Sequence, residues 1–131
     1  MNRKLIVGIV LAVVILAGII LVLRGNEDDW IKDLNGVWVK HGNPANTPQE
    51  VQDQQQLIGE AQHLFYEAQD NNQDLSNGPC LGATGDYAVD IAHNPREAID
   101  DQAQNQCADY ASGKLKHFIE LDLNGTVIRT I

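Results

Sequence analysis

Aromatic side chains are scarce in this chain: two Trp, three Tyr and two Phe among 131 residues. A single modest domain is the size such a length allows, and a small domain with few large side chains gains from a covalent staple. Cysteine is scarcer still, with only Cys80 and Cys107. There is no C-x-x-C, so the four closely spaced ligands of a structural zinc site are missing. No cysteine follows the apolar N-terminal run, which excludes a lipoprotein signal. A Gly-rich phosphate loop, G-x-S-x-G and HExxH are absent as well. The chain is therefore expected to be non-enzymatic and to need no cofactor. Basic residues are few beyond residue 24: Lys32, Lys40, Arg96, Lys114, Lys116 and Arg129 stand against 18 acidic residues, a net charge of −12 for residues 25–131. Such a field repels nucleic acids and anionic lipid surfaces, so no nucleic-acid partner is expected. A cationic partner or calcium is compatible with it, and so is acidity that serves solubility alone.

What is present in abundance is one apolar run. "LIVGIVLAVVILAGIILVL", residues 5–23, is 19 residues without a charge. As a helix it covers about 28 Å, close to the hydrocarbon thickness of a bilayer. A cleaved signal has a shorter apolar region followed by a small-x-small site. Here the run continues to Leu23 and Arg24-Gly25-Asn26 follow. A retained anchor over 1–24 is therefore preferred to a cleaved signal or a buried helix. A polar stalk, 25–29, and a domain over 30–131 complete the expected organisation. Arg3 and Lys4 precede the span, whereas Arg24 is soon followed by Glu27-Asp28-Asp29. This basic excess favours a cytoplasmic N-terminus, and places the domain outside the cell membrane as a single-pass protein. A protein or cell-envelope partner is then the expected class.

Thiols outside a cytoplasmic membrane tend to be oxidised. Cys80 and Cys107 most simply form a disulfide, closing a loop that the chain-entropy model credits with roughly 3.5 kcal/mol. Free buried thiols, a metal ligand pair or a nucleophilic thiol are the rival readings. A reactive thiol needs a basic surrounding, and Cys80 has no basic residue within a dozen positions.

The local patterns predict an α+β fold, an antiparallel sheet with one or two helices packed on it. "WIKDLNGVWVKHGNP" reads as a hairpin, and the same tetrapeptide, Asp-Leu-Asn-Gly, recurs at 122–125 between two further strands. In both, Asn-Gly is expected to supply the positive φ of a tight turn. An EF-hand reading fails, because neither copy has the later ligands or the closing Glu. "TPQE", 47–50, opens a helix to about Gln69, with Val51, Ile58, Ala61, Leu64 or Phe65, and Ala68 on one face. Residues 70–86 read as irregular. "DYAVDIA" alternates as a half-buried strand, with Tyr87, Val89 and Ile91 opposite Ala88 and Asp90. "NPRE", 94–97, or Asp101-x-x-Gln104 opens a second helix through Ile99, Ala103, Cys107 and Tyr110, ending at Ser112-Gly113. In the last pair, Phe118 and Glu120 oppose His117, Ile119 and Leu121, while Val127, Arg129 and Ile131 oppose Ile128 and Thr130.

Ionisable residues concentrate beside the staple at Asp90, His93, Asn94 and Arg96, and these four are the candidate binding surface. "KHGNP" and "AHNPR" each put a histidine at a strand end before Asn-Pro. Were the ends to converge, His41, His93 and His117 with Asp90 would suit a transition metal. The plainer alternative is that each Asn-Pro begins a turn. A Cys80–His93–Asp90 enzyme needs a proximity that spacing does not supply. His63 falls on the polar side of its helix. The adjacent pairs Asp28-Asp29 and Asp100-Asp101 point apart on any regular element, and read as stalk and cap.

"WVKHGNP", "NGPCLG", "DIAHNPR", "NQCADY" and "HFIELDLNG" together resemble a group of small membrane-anchored bacterial proteins with no established activity. The resemblance covers most of residues 30–131. It implies an exported tethered domain, and some members carry a further cysteine pair around the first motif that this chain lacks. "FIELDLNGTVIR", 118–129, is similar to the closing hairpin of small potato-inhibitor-I-like peptidase inhibitors, which implies inhibition as an alternative function. No reactive loop is evident before it.

Overall fold

The computed structural model describes residues 2–24 and 28–131. Most of the expected polar stalk lies outside the described residues. The chain divides into two compact units, residues 1–31 with 39–47, and residues 32–38 with 48–131.

The first unit contains helix α1, Arg3–Arg24. Among the described residues it alone is long and apolar enough to cross a membrane, over the 20 residues Arg3–Val22. The same unit holds most of strands β1, Asp29–Lys32, and β2, Trp38–His41, which pair as a two-stranded sheet. The loop after β2 is closed locally. The Trp30 indole donates to the Asn46 carbonyl at 3.2 Å, and Lys40 Nζ donates to Asn43 Oδ1 at 3.3 Å.

The second unit is an α+β domain. Its long helix, α2, spans Gln49–Asp70, with Pro48 at the N-cap. Proline suits a helix start because its missing N–H would be unbonded there in any case. Val51, Ala61, Phe65 and Ala68 are buried, the stripe that the spacing predicts. His63 stays on the solvent side, 3.7 Å from Glu67.

Four strands form one sheet in the order β3-β4-β5-β6: Cys80–Thr84, Tyr87–Ile91, His117–Leu121 and Val127–Thr130. Its outer ladders are antiparallel, as expected, but the central pair, β4 with β5, is parallel. Parallel neighbours need a long crossover, and residues 92–116 provide it. Strand β3 lies inside a segment read as irregular. It shows no apolar alternation, and Gly82 interrupts it at φ +127 with a register shift. Pairing to β4, not side-chain pattern, makes it a strand.

Strand periodicity sends alternate residues to opposite faces. Val89, Ile91, Ile119 and Leu121 point to α2 and close around Ala61 and Phe65. Ala88 and Phe118 point the other way and pack with Cys107, which the crossover brings over the sheet. The disulfide Cys80–Cys107 fastens β3 to that crossover, with Cα atoms 4.9 Å apart. The expected second helix shrinks to α3, Ala108–Ala111. Residues 94–106 instead form consecutive turns, with i+3 bonds at Asp100, Gln102 and Asn105. The expected cap residue Asp100 turns inward, and the Asn105 amide donates to the Ile99 carbonyl at 2.9 Å.

The two Asp-Leu-Asn-Gly turns adopt one geometry. In each, the Asp carboxylate accepts the backbone N–H groups two and four residues on, at 2.8–2.9 Å. Only glycine has positive φ, +78 at Gly36 and +80 at Gly125, so Asn does not share that role. Helix α2 holds both turns. Gln54 donates to the Gly36 carbonyl at 2.8 Å and accepts the Trp38 N–H, and Gln62 donates to the Gly125 carbonyl at 3.1 Å. A Cβ on Gly125 would lie 2.8 Å from the Phe65 ring, so the turn needs glycine for contact as well as for φ.

Strand β6 departs from simple alternation. Glu120 pairs with Arg129 but Leu121 with Val127, leaving Ile128 as an extra residue. This bulge puts Val127 against the α2-side core while Arg129 stays on the crossover face. The expectation that Val127 and Arg129 share a face is corrected accordingly.

Candidate functional site

The crossover face carries a row of charge. Asp90 and Glu120 are register partners across the parallel ladder, and Glu120 and Arg129 across the antiparallel one. Their side chains therefore stand side by side on three strands. The next row along is Ala88 and Phe118, with Ile131 hydrogen-bonded to Phe118 through the backbone. Above both rows lies the crossover, contributing Arg96, Gln106, Cys107 and Tyr110. The space enclosed between them is a cavity of about 310 Å³.

Charges in the row are unevenly matched. Glu120 is buried, 4% exposed, and pairs with two guanidiniums. Arg96 Nη1 contacts one of its oxygens closely, and Arg129 Nη2 lies 3.5 Å from the other. Arg96 is further held by Asp101 at 2.9 Å through Nε. Arg129 also covers the Phe118 ring, 4.8 Å from its centre, and Tyr110 meets that ring edge-on at 5.0 Å. Asp90 has no such support. Its Oδ1 is buried without a hydrogen-bond partner, as is Arg129 Nε. Burial, reinforced by the negative charge of Glu120, pushes the Asp90 carboxyl up to about 7, against the weaker pull of Arg96 and Arg129.

The four residues singled out from sequence divide between two sites. Asp90 and Arg96 line the cavity, whereas His93 and Asn94 border a smaller depression shared with Glu97 and the 122–124 turn. His93 is committed locally: its Nδ1 lies 2.8 Å from Asp100 Oδ1. Asp100 also accepts the backbone N–H groups of Glu97 at 2.8 Å and His93 at 3.1 Å. Burial works against its charge, but these bonds prevail and hold the carboxyl below its usual range. The bond from Asp100 in turn raises the His93 pKa. Gly78 approaches this node so closely that a Cβ there would lie 2.6 Å from Asp100 Oδ1. Two of the motifs, "NGPCLG" and "DIAHNPR", thus meet at one carboxylate. Asp100 and Asp101 do point apart, one to His93 and one to Arg96.

The proposed histidine triad does not assemble. His93 follows the C-terminal end of β4, while His117 begins β5 alongside Tyr87, whose ring it stacks on at 5.0 Å. In a parallel pair these are opposite ends of the sheet. His41 belongs to the other unit. Among the described residues no group of three or more His, Cys, Asp or Glu is arranged to hold a metal ion. Cys80 and Cys107 are joined to each other, so neither is a thiol nucleophile in this state.

Sequence reasoning missed Glu120, Arg129, Phe118 and Tyr110 as parts of the site. Glu120 carried a signal, an acid at the same strand parity as Phe118 and one register step from Asp90. Arg129 carried none, because the bulge hides its facing. Comparison with protein-family models, with curated proteins and with solved structures found no match to this chain.

Proposed function

We propose that this chain is a membrane-tethered, extracytoplasmic binding module, and that the cavity on the crossover face is its ligand site. The observation that carries the reading is Asp90, a half-buried carboxyl that lines a 310 Å³ cavity and whose Oδ1 is buried without a hydrogen-bond partner. Leaving a buried acceptor unsatisfied costs about 1–3 kcal/mol, and a carboxyl so perturbed beside a cavity marks a candidate binding site. Among the described residues that line the cavity there is no nucleophile-and-base pair, and both cysteines are joined in the disulfide, so the reading is binding without turnover. The tether reading is supported by the apolar length of α1, the basic residues Arg3 and Lys4 in its first turn, and a disulfide suited to an oxidising compartment.

Two experiments test the two halves. In intact cells, a membrane-impermeant maleimide should label the chain only after reduction. Labelling only after lysis would overturn the topology. For the site, the full chain in lipid nanodiscs is titrated with fragment-sized amines, alcohols and acids while amide resonances are followed. The reading requires saturable shifts at Ala88 and Phe118 with at least one class, and is abandoned if none produces them.

A further inference from the structure

Resting on the cavity as a binding site, we infer its ligand class: a small organic cation, a primary ammonium on an apolar body. The ammonium sits at Asp90, and the body lies along Ala88, Phe118 and Ile131. The charge census of the row is the first reason. The cavity is lined by two carboxylates, Asp90 and Glu120, and two guanidiniums, Arg96 and Arg129, and the exposed Asp101 draws on Arg96 from outside it. Arg96 is spent on Glu120 and Asp101 and Arg129 turns Nη2 to Glu120, so Asp90 is the one carboxylate of the cavity wall without an ion pair. A carboxylate ligand would have to compete with Glu120 for the arginines while facing Asp90. A neutral ligand would leave the row short of a cation whenever Asp90 is ionised.

The second reason is the neighbouring row. Ala88, Phe118 and Ile131 give one side of the cavity an apolar wall, and Tyr110 closes it edge-on to Phe118. An inorganic cation has no use for such a wall and requires several oxygen ligands, which are not grouped here. An ammonium brings three N–H donors to the Asp90 carboxylate, which has no ion pair, whereas a quaternary nitrogen brings none. A volume of 310 Å³ suits a fragment-sized molecule rather than a peptide. The surrounding field agrees, since residues 25–131 carry a net charge of −12 that concentrates cations near the surface.

A pH dependence follows. The charged groups that bear on Asp90 are Glu120 and Arg129 from the sheet, and Arg96 and Asp100 from the crossover. With the Asp90 carboxyl up at about 7, it is ionised at about pH 8 and mostly protonated at about pH 5.5. Ammonium binding should therefore strengthen as pH rises through this range.

The test uses the full chain in zwitterionic nanodiscs and three probes sharing one ring: benzylammonium, benzyl alcohol and benzoate. Benzylammonium should bind at about pH 8 with shifts at Ala88 and Phe118. Its affinity should fall by about tenfold or more at about pH 5.5 and in Asp90→Asn. Benzyl alcohol should bind the unaltered chain about tenfold more weakly. Should benzyl alcohol match the amine, or benzoate exceed it, at those same resonances, the cation inference fails and the binding-site reading survives. If no probe moves them up to its solubility limit, both fall. The pH and alcohol arms need no variant, so a misfolded Asp90→Asn would leave the inference open to refutation.

Discussion

On the side of the sheet that α2 covers, Val89, Ile91, Ile119 and Leu121 close around Phe65, with no charge among them. On the other side, the intervening residues of the same two strands are Ala88, Asp90, Phe118 and Glu120. Two five-residue strands thus build a closed core and an open, charged cavity with alternate positions. The difference lies in the cover. A regular helix presents a continuous apolar stripe that fills its side. The crossover is a string of turns pinned by one disulfide and one buried aspartate, and it stands off the sheet. The first face is filled, and the second keeps a cavity lined by charge.

The sharpest way to break this division is to cut the same residue type on each face. Phe65→Ala should cost about 4 kcal/mol in urea unfolding, and Phe118→Ala about 3, since Phe118 already borders a cavity and less packing is lost there. Equal costs would show that the cavity face is as tightly filled as the core. Replacing Cys80 and Cys107 by serine should lower stability by about 3.5 kcal/mol and broaden resonances of the crossover before those of α2. Uniform broadening would contradict the separation of the two covers.

A substitution of opposite sign comes next. Asp90 is protonated in the folded chain up to about pH 7, but only to about pH 4 when unfolded. Its folded pKa is raised, so the stability it contributes is present at low pH and lost as pH rises towards 7. Asp90→Asn should therefore be more stable than the unaltered chain by about 2 kcal/mol at about pH 8, the gain closing near pH 4. A gain independent of pH would mean that the carboxyl titrates normally. The smallest effects belong to the turn clamps. Gln54→Ala, which removes two hydrogen bonds, should cost about 1.5 kcal/mol, and Gln62→Ala, which removes one, about 1 kcal/mol. Thermal unfolding would rank them, and the reverse order would deny the clamp role.

The legible parts of this molecule are those with strong local period. The stripe of α2, and the parity of Tyr87–Ile91 and His117–Leu121, follow from spacing alone. The apolar run of α1 and the pairing of Cys80 with Cys107 were equally readable, from composition and count. What stayed hidden depends on contacts remote in the chain. Residues 94–97 carry a helix-start signature, yet Asp100 spends its carboxylate on His93 and Glu97 and stops the helix there. Strand β3 owes its existence to a partner, not to its own side chains. At the site, Asp90 and Arg96 stood out as ionisable residues near the staple. Glu120, which joins Arg96 to Arg129, is 24 residues from the first, and the Ile128 bulge reverses the facing expected of Val127 relative to the second.

One consequence concerns the two glutamines of α2. Gln54 and Gln62 are eight residues apart, about 12 Å along the helix axis. The first fixes the turn whose Asn35 carbonyl accepts the Thr130 N–H at the end of β6, and the second fixes Gly125 just before β6 begins. Both ends of the edge strand are therefore tied to marks on one rigid rod. A one-residue slip, the common failure of an edge strand, would have to release both ties together. The helix on the closed face thus works as a gauge for the open one: its length between two side chains decides where along the sheet the Arg129 guanidinium arrives.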